Sequence, residues 1–318
     1  MTTPTCWVLS DGKPGMETQC VGLAEALGFP FVVKRIRARA PWRFLPPQLW
    51  LAPLKALAAE SDALKPPWPD LLVATGRNTV ALSIALKKAS GGRTFTVQIQ
   101  KPVVSPRRFD LVVPAEHDGC RGPNVVPTRG SLHRVTPEGL KAAAEAVAPR
   151  VAHLPRPLVA VLVGGSNKVY RLTEGVARSI GERLAAFAGA EGAGLLVTPS
   201  RRTGARNEAV LRRTLAGAPA FIWDGRDDNP YLGFLGLAEA IVVTADSVNM
   251  VSEACATGKP VYVIELKGGS EKFRRFHRSL REEGMTRSFD GRLDRWTYPP
   301  LDETQRVARE VRARMRLA

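Results

Sequence analysis

Short apolar runs, each ending in a polar or glycine-bearing loop, recur along the whole chain and confine it to one fold class. Residues 6–10, 31–33, 70–74, 94–99 and 110–113 read as strands in the first half, and 158–163, 195–197, 220–223, 240–243 and 261–264 in the second. Helical patterns fall between them at 17–27, where Cys20, Leu23, Ala24 and Leu27 share one stripe, at 80–88 and at 173–187. Strands that alternate with helices predict parallel sheets covered by helices, and unbroken Val/Ile/Leu runs suit strands buried on both faces. The stretch 149–157 holds three prolines and reads as a linker, after which the pattern restarts. Two α/β units in tandem are therefore expected, residues 1–152 and 153–300. A basic amphipathic helix over 301–318 follows, with Val307, Val311 and Met315 at every fourth position; it is expected to pack on a domain face, a membrane-surface helix being the other reading.

Composition narrows the class further. The 318 residues are 44% hydrophobic and 24% charged, a balance that excludes disorder and collagen-like order. No apolar run approaches the roughly 20 residues that cross a bilayer, and the opening stretch lacks the pattern of a cleaved leader. Cys6, Cys20, Cys120 and Cys255 lie far apart with no Cys-x-x-Cys pair, so reduced thiols in the cytoplasm are expected rather than a zinc site or a disulfide framework. The formal charge of +16 is spread over both halves, with 20 basic against 11 acidic side chains in residues 1–150 and 26 against 19 beyond. Such a surface attracts nucleic acid, anionic headgroups or phosphorylated small molecules, and charge alone does not choose among them.

Ligands of open parallel sheets sit beyond the carboxyl ends of the strands, so the loops there carry the candidate chemistry. Gly164-Gly165-Ser166-Asn167-Lys168 offers close backbone approach, donors and charge for a phosphate, although a plain strand–helix turn also uses paired glycines. Thr244, Asp246 and Ser247 crowd the start of a helix whose dipole favours a diphosphate, and Asn249 and Glu253 lie four apart on one face of it. A carboxylate at Glu253 could accept from ribose hydroxyls; Asp246 or Ser247 caps the helix on either reading. Arg201 and Arg202 suit phosphate clamping or a basic surface loop, and 224–231 could frame a base or form an ordinary turn. In the first half, Asp11, Gly12, Lys13 and Gly15, then Gly76, Arg77 and Asn78, then Gln100, occupy equivalent positions, with Asp11 as candidate general base. His277 is a further candidate, although a His in so basic a stretch more often lies on the surface. No metal site is visible, since His117, His133 and His153 lack ligand spacing.

The segment 40–54 combines Trp42, Phe44, Leu45 and Trp50 with prolines and flanking Lys and Arg. Partial immersion in an anionic leaflet is one reading, and a proline-kinked segment folded onto its own domain is the other.

Taken in order, Asp11-Gly-Lys-Pro-Gly15, Ala74-Thr-Gly-Arg-Asn78, Gln98-Ile-Gln-Lys-Pro102, Gly164-Gly-Ser-Asn167, Ser200-Arg-Arg-Thr203 and Thr244-Ala-Asp-Ser247 with Ser252-Glu-Ala254 and Thr257-Gly-Lys-Pro260 resemble the Elm-type mitochondrial fission protein family. Bacterial members of that family are often labelled predicted nucleoside-diphosphate-sugar epimerases. The resemblance extends to about residue 290. More distantly, 247–260 is similar to the nucleotide-sugar segment of GT-B glycosyltransferases, among them the peptidoglycan N-acetylglucosaminyltransferase that works on a lipid-linked acceptor. The resemblance implies two Rossmann-like parallel-sheet domains facing across a cleft, the first binding acceptor and the second a UDP-sugar. Carried over by position, Glu253 would hold the ribose, Gly165, Ser166 and Ser247 the diphosphate, and the turn at Asp11 would face the acceptor. That turn lacks the histidine of some relatives, which leaves the base open. A metal-independent, cofactor-free glycosyltransferase is the expected function, with a nucleotide-sugar epimerase and a non-catalytic membrane-associated scaffold as alternatives. No nucleic-acid partner is expected. The expected site of action is the cytoplasm, or the inner face of the plasma membrane if 42–50 meets lipid.

Overall fold

The computed structural model describes residues 3–316. It divides into two units, one formed by the residues up to Arg134 together with those from Asp302 on, the other by Val135–Leu301.

The first unit holds β1 (Cys6–Ser10), α1 (Pro14–Leu27), β2 (Phe31–Arg35), β3 (Leu71–Thr75), α2 (Arg77–Ala89), β4 (Phe95–Ile99) and β5 (Leu111–Val113). Its sheet runs β2-β1-β3-β4-β5 with every pairing parallel. Strand alternation sorts side chains to two faces: Leu71 and Val73 pack with Leu23 and Leu27 of α1, while Leu72 and Ala74 pack with Leu82 and Leu86 of α2. The C-terminal helix Glu303–Arg314 returns to this unit, placing Val307, Ala308 and Val311 in the α1 cluster while Arg312 donates to the Leu27 carbonyl. Burying Val307 and Val311 contributes about 1.5–3 kcal/mol each. The tail is thus part of the first unit and not a separate segment. Residues 317 and 318 of the expected helix, like residues 1 and 2, lie outside the described residues.

The second unit holds α3 (Pro137–Val151), β6 (Leu158–Val163), β7 (Tyr170–Arg171), α4 (Glu174–Glu191), β8 (Gly194–Pro199), α5 (Ala205–Thr214), β9 (Ala220–Ile222), α6 (Tyr231–Leu237), β10 (Ala240–Thr244), α7 (Val248–Cys255), β11 (Val261–Ile264), β12 (Lys267–Gly268), α8 (Glu271–Glu282) and β13 (Thr286–Ser288). Its main sheet, β13-β11-β10-β6-β8-β9, is also wholly parallel, and β12 pairs with β7 as a short antiparallel ribbon. Every expected strand forms, with ends within two residues of the sequence reading.

The seam falls at Arg134, ahead of the proline-rich stretch that reads as a linker. Helix α3 runs through Pro149, which removes one amide in its last turn. It lies on α6, where two glycines remove the side chains that would hold it off. A Cβ at Gly233 would sit 2.5 Å from Val147 Cγ2, and one at Gly236 would sit 2.4 Å from the Leu140 carbonyl oxygen. That close approach ties residues 135–152 to the second unit, so the expected boundary at 152 shifts.

Candidate functional site

In a doubly wound sheet the ligand crevice opens where connections leave toward opposite sides. In the second unit β8 lies on one side of β6 and β10 on the other, so the switch point lies between the loops after β6 and β10. Gly164, Gly165, Thr244, Asp246 and Ser247 all gather there.

Most of their polar atoms, however, bind one another. Asp246, with its side chain fully buried, accepts from Gly165 N–H (2.9 Å) and Thr244 Oγ1 (2.7 Å), and pairs with Arg202 Nη2 at 2.7 Å. Thr244 Oγ1 in turn accepts from Gly164 N–H at 2.7 Å. Thr203 Oγ1 donates to the Val163 and Gly164 carbonyls. The loops after β6, β8 and β10 are therefore laced through one carboxylate. The paired glycines serve this lacing. A Cβ at Gly164 would lie 2.2 Å from Asp246 Oδ1, and one at Gly165 would lie 1.9 Å from the Arg202 carbonyl oxygen. The Gly164 and Gly165 amides, the Thr244 hydroxyl and the Asp246 carboxylate, read from the sequence as phosphate contacts, are engaged inside the protein, and Arg202, 39% exposed, turns one nitrogen onto Asp246.

Ser166 and Asn167 brace the same loop. Ser166 Oγ accepts from Leu172 N–H, Asn167 Oδ1 accepts from the Val169 and Tyr170 amides, and Asn167 Nδ2 donates to the Asp246 carbonyl. Ser247 caps α7 by accepting from Met250 N–H. The first turn of α7 thus opens at the switch point with a side-chain cap in place. Arg201 is exposed on the loop after β8. Asn249 stands in the first turn of α7, and Glu253 one turn further in.

Glu253 is half-buried and accepts from Tyr231 Oη at 2.6 Å. Burial pushes its carboxyl up to about 7, against the smaller opposing effect of the Tyr231 hydrogen bond. Tyr231 begins α6, where Asn229 Oδ1 accepts its amide. Asp227 is committed elsewhere, accepting from Trp223 Nε1 and pairing with Arg150.

In the first unit the switch point lies between β1 and β3, since β2 and β3 flank β1 on opposite sides. Asp11, Gly12, Lys13, Gly76 and Asn78 meet there. The Asp11 side chain is 5% exposed; its Oδ2 pairs with Lys13 Nζ and accepts from Asn78 Nδ2 at 3.3 Å. Its Oδ1 is buried with no partner, as are Thr75 Oγ1 at the end of β3 and Gln98 Oε1 on β4. Gly76, at φ +88°, begins α2, and a Cβ there would meet Met16 Cε at 2.9 Å. Gly12 N–H donates to Ser10 Oγ, and Gly15 opens α1. Gln100 follows β4 with a positive φ of 69°, its amide donating to the Val113 carbonyl. Arg77 points another way, donating to the Phe44 and Leu45 carbonyls.

The aromatic segment folds as short 3-10 turns at Trp42–Phe44, Pro47–Leu49 and Pro53–Lys55. Trp50, read from the sequence as a lipid contact, is instead 6% exposed in the α2 core and donates to the Leu45 carbonyl. Trp42 and Leu45 are half-buried against the same core, Trp42 donating to the Leu51 carbonyl. Phe44 stands 67% exposed, and so do Leu49, Leu51 and Val103 in part or in the main.

His277 is buried, contrary to the surface position its basic surroundings suggest. Phe273, Phe276, His277 and Leu280 form one apolar stripe of α8 at helical spacing, and that periodicity is the signal that places the ring inside. Among the described residues no group of three His, Cys, Asp or Glu side chains is placed to hold a metal ion, and no helix is long and apolar enough to cross a membrane.

Comparison with known proteins adds the family and the fold. The family model of mitochondrial fission ELM1 matches residues 14–315. The chain is 35% identical over 271 residues to mitochondrial fission protein ELM1 of Arabidopsis thaliana, covering 77% of this chain and 63% of that protein. It is 26% identical to uncharacterized protein RP120 of Rickettsia prowazekii (strain Madrid E), with 98% of each chain covered. Among solved structures, UDP-GlcNAc 2-epimerase of Methanocaldococcus jannaschii aligns with a TM-score of 0.56 at 13% identity, over 97% of this chain and 98% of that one. LpCGTa, solved in complex with UDP, aligns with a TM-score of 0.51 at 14% identity, over 99% of this chain and 91% of that one. The two parallel-sheet units are thus of the GT-B kind, and the chain belongs to the mitochondrial fission ELM1 family.

Proposed function

We propose that this chain transfers a glycosyl group from a UDP-sugar to an acceptor hydroxyl without a metal ion. The observation that carries this reading is the start of α7, a capped helix end at the sheet's switch point with Glu253 one turn inside and turned onto Tyr231. The first amides and the dipole of α7 receive the diphosphate, assisted by Lys168 and Arg201. Glu253 accepts from the ribose hydroxyls, and Tyr231 fixes the orientation of its carboxyl. The Asp246 lacing keeps the three loops in place and does not itself touch the donor. The acceptor hydroxyl oxygen attacks the anomeric carbon and gives its proton to a base, for which Asp11 with its bare Oδ1 is the first unit's candidate. The bond from that carbon to the β-phosphate oxygen breaks, and UDP leaves with the bonding pair. The fold likeness to a UDP-GlcNAc 2-epimerase bound to UDP-GlcNAc and UDP, and to LpCGTa bound to UDP, supports the donor class.

Titration calorimetry with UDP and UDP-GlcNAc tests this. Both are expected to bind, and Glu253→Ala is expected to weaken them at least about tenfold. Ribose donors favour the ionised carboxylate, so binding strengthens as pH rises through about 7. Absence of binding to either would remove the reading. Isomerised sugar released with no acceptor present would replace transfer by epimerisation.

The acceptor side carries a second feature, the exposed Phe44, Leu49, Leu51 and Val103 with Arg39, Arg43, Lys55 and Lys101 around them in sequence. Apolar tips amid cations suit an anionic lipid surface, which would present a lipid or lipid-linked acceptor. Co-sedimentation with phosphatidylglycerol vesicles, but not phosphatidylcholine vesicles, is the expected result. A Leu51→Ser, Phe44→Ser double variant that sediments as well as the unchanged chain would refute it.

A further inference from the structure

A second cavity of the Val135–Leu301 unit, about 360 Å³, has no part in the chemistry above. It is walled by Arg274, His277, Arg278 and Arg281 of α8, by Glu265 just past β11, and by Gly268, Gly269 and Tyr170 of the β12–β7 ribbon. Three arginines and one glutamate therefore share this wall. Glu265 engages Arg281 only loosely, at 3.7 Å, and Arg274 is held by Glu271 outside.

Two members of the wall are buried, the Tyr170 phenol ring and His277, the latter 5% exposed. Its Nε2 lies 2.8 Å from the Ala245 carbonyl, which can only accept, so Nε2 carries the hydrogen and Nδ1 presents its lone pair in the neutral ring. Nδ1 is buried with no partner. Packing between Phe273 and Phe276 does not require a polar ring, and an unpartnered buried nitrogen costs about 1–3 kcal/mol. At the rim, Gly268 and Gly269 hold φ of +107° and +105°, and a Cβ on Gly268 would strike the Val169 carbonyl at 2.1 Å, so this edge stays free of side chains.

We propose that this cavity is a binding site for an oxyanion, a phosphate or carboxylate group, held between the arginine face of α8 and His277. The site lies past β11 and does not rest on the nucleotide reading; it borders the β10 loop at Ala245, whose carbonyl accepts from His277 Nε2, and at Asp246. The groups that face His277 are Glu265 and Asp246, which favour its charged form, Arg274, Arg278 and Arg281, which oppose it, and the Tyr170 phenol. Burial prevails and lowers the imidazole below its ordinary range. An entering anion reverses that balance, so Nδ1 gains a proton as the ligand binds, and affinity rises as pH falls.

Long-range ¹H–¹⁵N spectra of the histidine side chains of the full chain test this, with inorganic phosphate, glucuronate and glucose as probes. Phosphate or glucuronate is expected to move His277 Nδ1 to the protonated signature and raise its apparent pKa by about one unit, and glucose is expected to do nothing. The stronger of the two anions identifies the group. Arg278→Ala and Arg281→Ala, both at exposed positions, should each weaken the anion about tenfold. A His277 Nδ1 that neither anion moves, or an affinity that neither arginine variant lowers, would overturn the assignment. UDP titrated into the same sample separates the two readings. UDP binding without a phosphate response removes this site alone, and a phosphate response without UDP binding removes the nucleotide site alone.

Discussion

Each unit places a buried carboxylate at the switch point of its sheet, and the two are finished differently. Asp246 in the second unit is surrounded by an amide, a hydroxyl and a guanidinium, so its charge is fully answered. Asp11 in the first unit answers Lys13 and Asn78 with one oxygen and leaves the other buried and bare. A carboxylate whose lone pairs are all engaged holds loops together; one with an idle buried oxygen keeps an acceptor open. The same residue type, at both switch points but after different strands, thus carries structure in one unit and candidate chemistry in the other.

The sharpest way to break that contrast is at the lacing itself. Gly165→Ala forces a methyl against the Arg202 carbonyl oxygen, backbone against backbone, with Asp246 fixing both loops. A loss of more than about 4 kcal/mol in urea unfolding is expected; a loss below about 1 kcal/mol would mean the loops are not clasped. Asp246→Ala removes the central acceptor and strands the Gly165 amide and the Thr244 hydroxyl. Arg202 is 39% exposed and can turn to water, which limits the expected cost to about 3 kcal/mol.

How much of this could be read from residues alone differs between the strands and the loops. Unbroken runs such as Leu158–Val163 and Leu71–Thr75 are buried at every position, and that is why their apolar pattern fixes both the strand and the parallel sheet. The same logic locates the Asp11 turn and the Thr244–Ser247 loop as polar stretches after strands; that they lie at switch points follows from the strand order, which residues alone do not give. It cannot say which polar atoms face each other. Gly164-Gly165 reads alike whether a phosphate or a neighbouring carboxylate comes close, and only the geometry assigns Asp246 to that place. Helix α3 is missed as part of the second unit because its attachment depends on Gly233 and Gly236 of α6, far along the chain. Trp50 misleads for a related reason: prolines break its periodicity, so nothing local distinguishes a buried indole from an exposed one.

Glu253 provides a third carboxylate against which to sharpen the contrast, partnered by a neutral phenol only. Its folded value of about 7 lies above the ordinary 4.5, so the folded chain holds the proton more tightly than the unfolded one. This contribution to stability is complete below 4.5 and is lost as pH rises through about 7. Allowing for partial exposure, about 2 kcal/mol should disappear over that window. Glu253→Gln, which keeps a partner for Tyr231, is expected to flatten that pH dependence in denaturant titrations at pH values on either side of it. An unchanged slope would place the carboxyl in better-solvated surroundings than its contact with Tyr231 implies.

Asp11→Asn asks for the smallest change in stability and the largest divergence between stability and turnover. Lys13 is 63% exposed, so the ion pair lost with the charge contributes at most about 1 kcal/mol. Neutralising a carboxylate that keeps a bare oxygen inside the protein works in the opposite direction. The two effects nearly cancel, and the unfolding midpoint should shift by less than the equivalent of about 1 kcal/mol either way. An amide cannot take the acceptor proton, so on the proposed function glycosyl transfer should fall at least about a hundredfold while UDP affinity stays unchanged. A destabilisation as large as that of Asp246→Ala would make Asp11 a second clasp. Full turnover in the asparagine variant would leave the first unit's crevice without its base.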